Sequence, residues 1–270
     1  MRNRVSILFI VAAMLRTPLA AGQVFAPLLA DPLEPQFFGN YLFAHAPSLS
    51  SRLGAVGFGQ TISLVRGRDW QLSVAAAALS QFDMQSETTD LINTDYLVGI
   101  PFTYRHHTWA TRFRIHHQSS HLGDGYLGAR GLTQIPRLGF DGAELLVGND
   151  LGPWRIYGGG EYLFHHIPHD LRPGVLHGGL EYRGATALVH VGRFGSGRLV
   201  AGLDGKSFQE LGWRAGWSLV TGLELADPSV ASGAGWRWSL LLKAYTGPSP
   251  YGDFYRDQLS SVGVGLGFAL

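Results

Sequence analysis

Most of this chain alternates apolar and polar residues with a period of two, the period of a strand whose successive side chains point to opposite faces. In Gly54 to Leu64, Val56, Phe58, Ile62 and Leu64 share one face while Gly57, Gly59, Thr61 and Ser63 share the other. Trp70, Leu72, Val74, Ala76 and Ala78 continue the pattern, and Tyr96, Val98, Ile100, Phe102 and Tyr104 repeat it. Further strands are predicted at Gln36 to His45, Thr111 to Ser119, Phe140 to Asn149, Trp154 to Phe164, Leu176 to Tyr182, Ala185 to Arg193, Arg198 to Lys206 and Trp213 to Leu225. Near the end, Trp236, Trp238, Leu240 and Leu242 oppose Arg237, Ser239 and Lys243. Val262, Val264, Leu266, Phe268 and Leu270 then oppose Ser261, Gly263, Gly265 and Gly267. This gives twelve or thirteen strands. Barrels built from one bacterial chain have even numbers, so twelve is the expectation.

The breaks in the pattern are equally informative. Phe25 to Pro35 carries three prolines, which remove ladder donors, so residues 23–35 are predicted to be an extended leader on the periplasmic side and not a strand. Gln81 to Asn93 and the glycine-rich His121 to Arg137 read as loops. Gly158, Gly159 and Gly160 interrupt a strand, which suits a bend in the sheet or a close approach better than a phosphate loop, because no helix follows.

Composition points to the same class. Of 270 residues, 46% are hydrophobic, only 15% are charged and 37 are glycine, and after the N-terminus no apolar run is long enough for a spanning helix. Such a chain fits an all-β transmembrane antiparallel barrel. The net charge of +1 argues against a nucleic-acid partner, and without cysteine neither a disulfide nor a thiolate metal site can form. Arg2 and Arg4, the apolar Val5 to Leu15 and the small residues Ala20, Ala21 and Gly22 read as a cleaved signal peptide over residues 1–22. The barrel is then expected over residues 36–270, in the bacterial outer membrane, with the barrel-assembly machinery as a partner during biogenesis.

One strand changes character at its end. Phe113 and Ile115 share a face with His117 and Ser119, while Arg112, Arg114, His116 and Gln118 share the other. An imidazole and a hydroxyl therefore sit on the apolar face, which a half-buried strand normally denies them. Positions two apart on a strand lie roughly 6 to 7 Å apart, close enough for the side chains to meet, and a serine nucleophile needs a neighbouring base. Asp124, Asp141 and Glu144 are the acidic candidates to orient His117, Asp124 lying closest in the chain.

The triplet His117-Gln118-Ser119 resembles the His-x-Ser-Asn-Gly signature of the outer-membrane phospholipase A family, with Ser120-His121 in place of Asn-Gly. It is also similar to the His-x-Ser pair of the lipid A deacylase family. These resemblances imply a lipid acyl hydrolase with Ser119 as nucleophile and His117 as base on the lipid-facing surface, membrane phospholipid or lipopolysaccharide as substrate, and calcium to stabilise the oxyanion. Across most of the mature chain the sequence resembles an uncharacterised bacterial family, the domain of unknown function numbered 1207. That likeness is carried by Leu28-Leu29-Ala30-Asp31-Pro32, Leu91-Ile92-Asn93-Thr94-Asp95-Tyr96 and His117-Gln118-Ser119-Ser120-His121-Leu122-Gly123-Asp124. It brings no activity with it.

A second reading stays open. With 11 histidines in the chain, a His-x-Ser triplet arises readily by chance, and polar residues at a strand end also suit the headgroup region. The barrel is then structural or a narrow channel, with Arg112, Arg114, Arg155, Glu161, Glu181, Arg214 and Arg237 filling its lumen. His165-His166-Ile167-Pro168-His169-Asp170 reads as a polar loop in preference to a metal site, which needs fixed geometry.

Overall fold

The computed structural model describes residues 23–131, 137–192, 195–226 and 237–269. Residues 1–22, read above as a signal peptide, lie outside the described residues, as do Trp236 and Leu270. Twelve antiparallel strands close into one barrel in sequence order, β12 returning to β1 with Phe37 opposite Phe268. They are β1 (Phe37–His45), β2 (Arg52–Arg66), β3 (Trp70–Asp83), β4 (Leu91–His106), β5 (Trp109–Leu122), β6 (Gly139–Leu151), β7 (Trp154–Ile167), β8 (Gly174–His190), β9 (Ser196–Phe208), β10 (Arg214–Ala226), β11 (Arg237–Pro248) and β12 (Gln258–Ala269). Among the described residues the pattern's thirteenth strand is absent. Leu176 to Tyr182 and Ala185 to His190 belong to one strand, β8, whose register slips between Arg183 and Ala187, while Arg193 lies outside the described residues. That slip broke the alternation into two pieces. The loop after β5 also contains a short helix, α1 (Asp124–Arg130), closed by Gly131 in the left-handed region.

Polarity is inside out. Phe58, Ile100, Leu219, Leu242 and Val264 are exposed on the outer surface, whereas Arg112, Arg114, Glu144, Arg155, Glu181 and Asp204 are buried in the lumen. Only a hydrocarbon surround makes that arrangement favourable, and closure leaves no sheet edge unpaired within it. Trp70, Trp109 and Trp154 lie exposed beside the tight turns, and Tyr96, Tyr162 and Trp213 lie exposed toward the opposite rim, where aromatic belts meet the headgroups. Short turns mark the periplasmic end, so the long β5–β6 loop and α1 face outward from the cell. Arg214, expected in the lumen, is instead exposed at this outer rim, with its Nε donating to the Leu211 carbonyl.

The lumen is packed. Residues 23–35, expected as an extended leader on the periplasmic side, instead bend and turn within the barrel, with Val24, Phe25, Leu28, Ala30, Asp31 and Glu34 buried and the Glu34 N–H donated to the Asp31 carbonyl. Their prolines keep them out of the sheet, and the inward charges supply the partners that the segment lacks. Arg155 donates to the carbonyls of Ala26 and Pro27, Glu181 accepts from the Leu29 N–H at 2.6 Å, and Lys206 holds Asp31 at 2.9 Å. Phe25 sits between the guanidiniums of Arg112 and Arg155, 5.1 and 5.3 Å from its ring centre. The glycine run of β7 marks a close approach, since a Cβ on Gly159 would stand 1.9 Å from the Leu145 carbonyl oxygen.

Three lumenal cavities measure 10, 40 and 50 Å³, the smallest with room for one water at most and the other two for a few. We therefore expect the intact barrel to be silent in planar bilayers and a variant lacking residues 23–35 to show discrete conductance steps. Equal conductance in the two would refute the segment's role as a plug.

Candidate functional site

β5 positions the site. Trp109, Phe113, Ile115, His117 and His121 are exposed and Ser119 is half-buried on the outer face, while Ala110, Arg112, Arg114, His116, Gln118 and Ser120 are buried in the lumen. His117 and Ser119 thus share the lipid-facing surface near the outer rim. The register sets His117 opposite Asp141 and Ser119 opposite Gly139 on β6, with Tyr96 of β4 on the other side of Ser119.

The acid that meets His117 is Asp141. Its Oδ1 lies 2.9 Å from His117 Nδ1, and its Oδ2 lies 3.2 Å from Nδ1 of His165 on β7. Asp124 opens α1 as an exposed residue in the rim loop, and no hydrogen bond joins it to His117 among the described residues. Glu144 faces the other way. It is buried in the lumen, accepting from Arg112 Nε and Arg114 Nη2, each at 2.9 Å.

An Nδ1–H donated to Asp141 leaves Nε2 as the basic nitrogen of His117, the tautomer that can receive a proton from a hydroxyl. No hydrogen bond joins His117 to Ser119 in this arrangement.

Behind this outer face the strands are clamped from the lumen. Ser120 Oγ donates to Asn93 Oδ1 at 2.9 Å and accepts the Asp253 N–H at 3.1 Å, and Asp253 Oδ1 accepts the Leu138 N–H at 2.9 Å. The Gly252 N–H is donated to Asp95 Oδ2 at 3.1 Å. This approach requires a glycine, because a Cβ on Gly252 would stand 2.2 Å from both Asp95 Oδ1 and Ser120 Oγ. The turn Gly252–Phe254 of the β11–β12 loop thereby braces the β5–β6 pair directly behind Ser119.

Sequence reasoning missed both Asp253 and His165. The histidine cluster was visible but read as a loop, whereas His165, His166 and Ile167 belong to β7 and only Pro168, His169 and Asp170 turn away from it. Among the described residues no group of three or more His, Asp or Glu is arranged to hold a metal ion.

Solved structures of similar fold include outer membrane phospholipase A from Escherichia coli, at TM-score 0.61 and 14% identity, with 96% of this chain and 97% of that chain covered. The outer membrane phospholipase (OMPLA) dimer of Salmonella typhi with bound calcium matches at TM-score 0.58 and 14% identity over 96% and 97% of the two chains. LpxR from Salmonella typhimurium matches at TM-score 0.42 and 13% identity, covering 86% of this chain and 90% of that one. No protein of curated description matches the sequence. The family described as "Protein of unknown function (DUF1207)" matches residues 7–270. With its closed barrel and apolar exterior, the molecule resides in the bacterial outer membrane.

Proposed function

Because the chain belongs to the DUF1207 family, its chemistry has to be read from its own surface, and we propose that it is a lipid acyl hydrolase of the outer leaflet. One observation carries this reading: an imidazole on the lipid-facing surface, hydrogen-bonded through Nδ1 to Asp141, with a serine at the next outward position of the same strand. Chance polar residues at a strand end have no need of a carboxylate on the neighbouring strand.

In the proposed reaction Ser119 Oγ attacks the carbonyl carbon of an acyl ester arriving laterally from the membrane, and His117 Nε2 takes the hydroxyl proton. Asp141 holds the imidazole in orientation and stabilises the imidazolium as it forms. Collapse of the tetrahedral intermediate breaks the ester C–O bond, and His117 returns the proton to the departing alcohol. Water, deprotonated by His117, then releases the fatty acid from Ser119. Phe113 and Ile115, exposed below the site on the same strand, give the acyl chain an apolar path.

Calcium is bound in the Salmonella typhi phospholipase, and because backbone carbonyls and water can also supply its oxygen ligands, calcium is kept as a variable in the test below. Both oxygens of Asp141 are engaged by imidazoles, and among the described residues no cluster of three metal-ligating side chains exists. No step is routed through a metal. The channel alternative is disfavoured by the filled lumen.

The test is fatty-acid release from phospholipid and from lipopolysaccharide by the refolded barrel, with and without calcium. Release by the wild-type protein is expected on at least one substrate. Absence of release on both, with calcium present, would leave a non-catalytic barrel.

A further inference from the structure

Regular alternation would turn His165 into the lumen. On β7, Arg155, Tyr157 and Leu163 are buried while Trp154, Ile156 and Tyr162 are exposed, so the next odd-numbered residue belongs inside. The register explains why it does not stay there. Asp141 pairs with Phe164 and Gly139 with Ile167, so two steps along β6 are matched by three along β7. That is a β-bulge, and bulges next to functional sites commonly re-aim one side chain. Past it the alternation is inverted, and His165 and Ile167 are exposed.

The bulge carries a conformational cost. His165 has φ 49°, in the left-handed region that residues with a Cβ rarely adopt. Strain of this kind persists where the surroundings over-determine it, and it concentrates at functional positions. What the strain accomplishes here is specific. The His165 side chain, 81% exposed, places Nδ1 on Asp141 Oδ2 while His117 holds Oδ1. The carboxylate, itself 34% exposed, is thereby gripped at both oxygens by imidazoles from two different strands.

We propose that His165 is a positioning residue that acts through Asp141, fixing the carboxylate so that Oδ1 stays on His117 Nδ1. A carboxylate at the barrel surface would otherwise rotate freely about its terminal bond and exchange His117 for water. With Oδ2 tethered, rotation breaks a second hydrogen bond, and the His117 tautomer is held. The catalytic half of this proposal rests on the hydrolase reading; the structural half does not.

The experiment compares wild type, His165→Ala and His165→Asn, whose amide can keep a donor near the position of the imidazole Nδ1. Each barrel is first checked for folding by its cold-gel mobility. Nitrogen-15-labelled histidine then reports the exchange of the His117 Nδ1 proton with water. His165→Ala should speed that exchange about tenfold or more, and His165→Asn should return it to near the wild-type rate. In the acyl-release assay His165→Ala should lower kcat about tenfold with KM unchanged, and His165→Asn should restore most of it. Exchange and kcat both unchanged in His165→Ala would overturn the proposal. If wild type releases no fatty acid, the hydrolase reading fails and exchange alone decides: faster exchange in the alanine variant supports the tether, and unchanged exchange overturns it.

Discussion

Ser119→Ala and His117→Ala are each expected to lower fatty-acid release by about 10³-fold or more, and the double variant to lose hardly more than either alone. Catalytic partners act as one unit, so removing the second costs little once the first is gone. Two unrelated polar residues would instead lose activity additively. Asp141→Ala should cost about 10²- to 10⁴-fold, while Asp124→Ala should leave the rate unchanged, which separates the two acids directly. Ser120→Ala is a poor control, because its hydroxyl bonds both Asn93 and the Asp253 N–H behind the site. Ser260, exposed on β12 at the far wall of the barrel, is the better one. Full activity in Ser119→Ala would dispose of the mechanism outright.

The second large effect concerns the lumen. Glu144 is 1% exposed and accepts from both Arg112 and Arg114, and Arg112 is further tied to Glu34 of the plug at 2.8 Å. Glu144→Ala leaves buried guanidiniums short of a counter-charge, and breaking a buried pair in this way costs about 3–5 kcal/mol. The urea midpoint of the transition between the compact and unfolded gel bands should fall accordingly. A loss below about 1 kcal/mol, the range of an exposed pair, would mean that water reaches these arginines freely.

Much of the barrel was legible because alternation is a local property. Most strands of the sheet show in the period of two, and the outward placement of His117 and Ser119 follows from Phe113 and Ile115 alone. What failed was non-local. Whether Asp124, Asp141 or Glu144 meets His117 depends on the β5–β6 register, which a long loop containing α1 leaves open. The lumenal position of residues 23–35 depends on inward charges contributed by strands far along the chain. His165 was hidden by a bulge, which inverts alternation without altering composition, and Asp253 by a turn that reaches across the barrel mouth. The surplus strand had the same origin, a register slip within β8 that imitates a strand boundary.

The outward-inward alternation also governs how such a chain travels. A strand that gives every second residue to lipid never presents about 20 consecutive apolar residues, the length that a translocation channel releases sideways as a helix. No helix among the described residues is long and apolar enough to cross a membrane. An exported chain of this pattern therefore passes the inner membrane without lodging there, although its folded form lives in a bilayer. Membrane affinity is absent from any single segment and arises only when paired strands satisfy one another's backbone and gather their apolar residues on one surface. The destination is thus written in the pairing of the strands, and the chain cannot act on it until it folds.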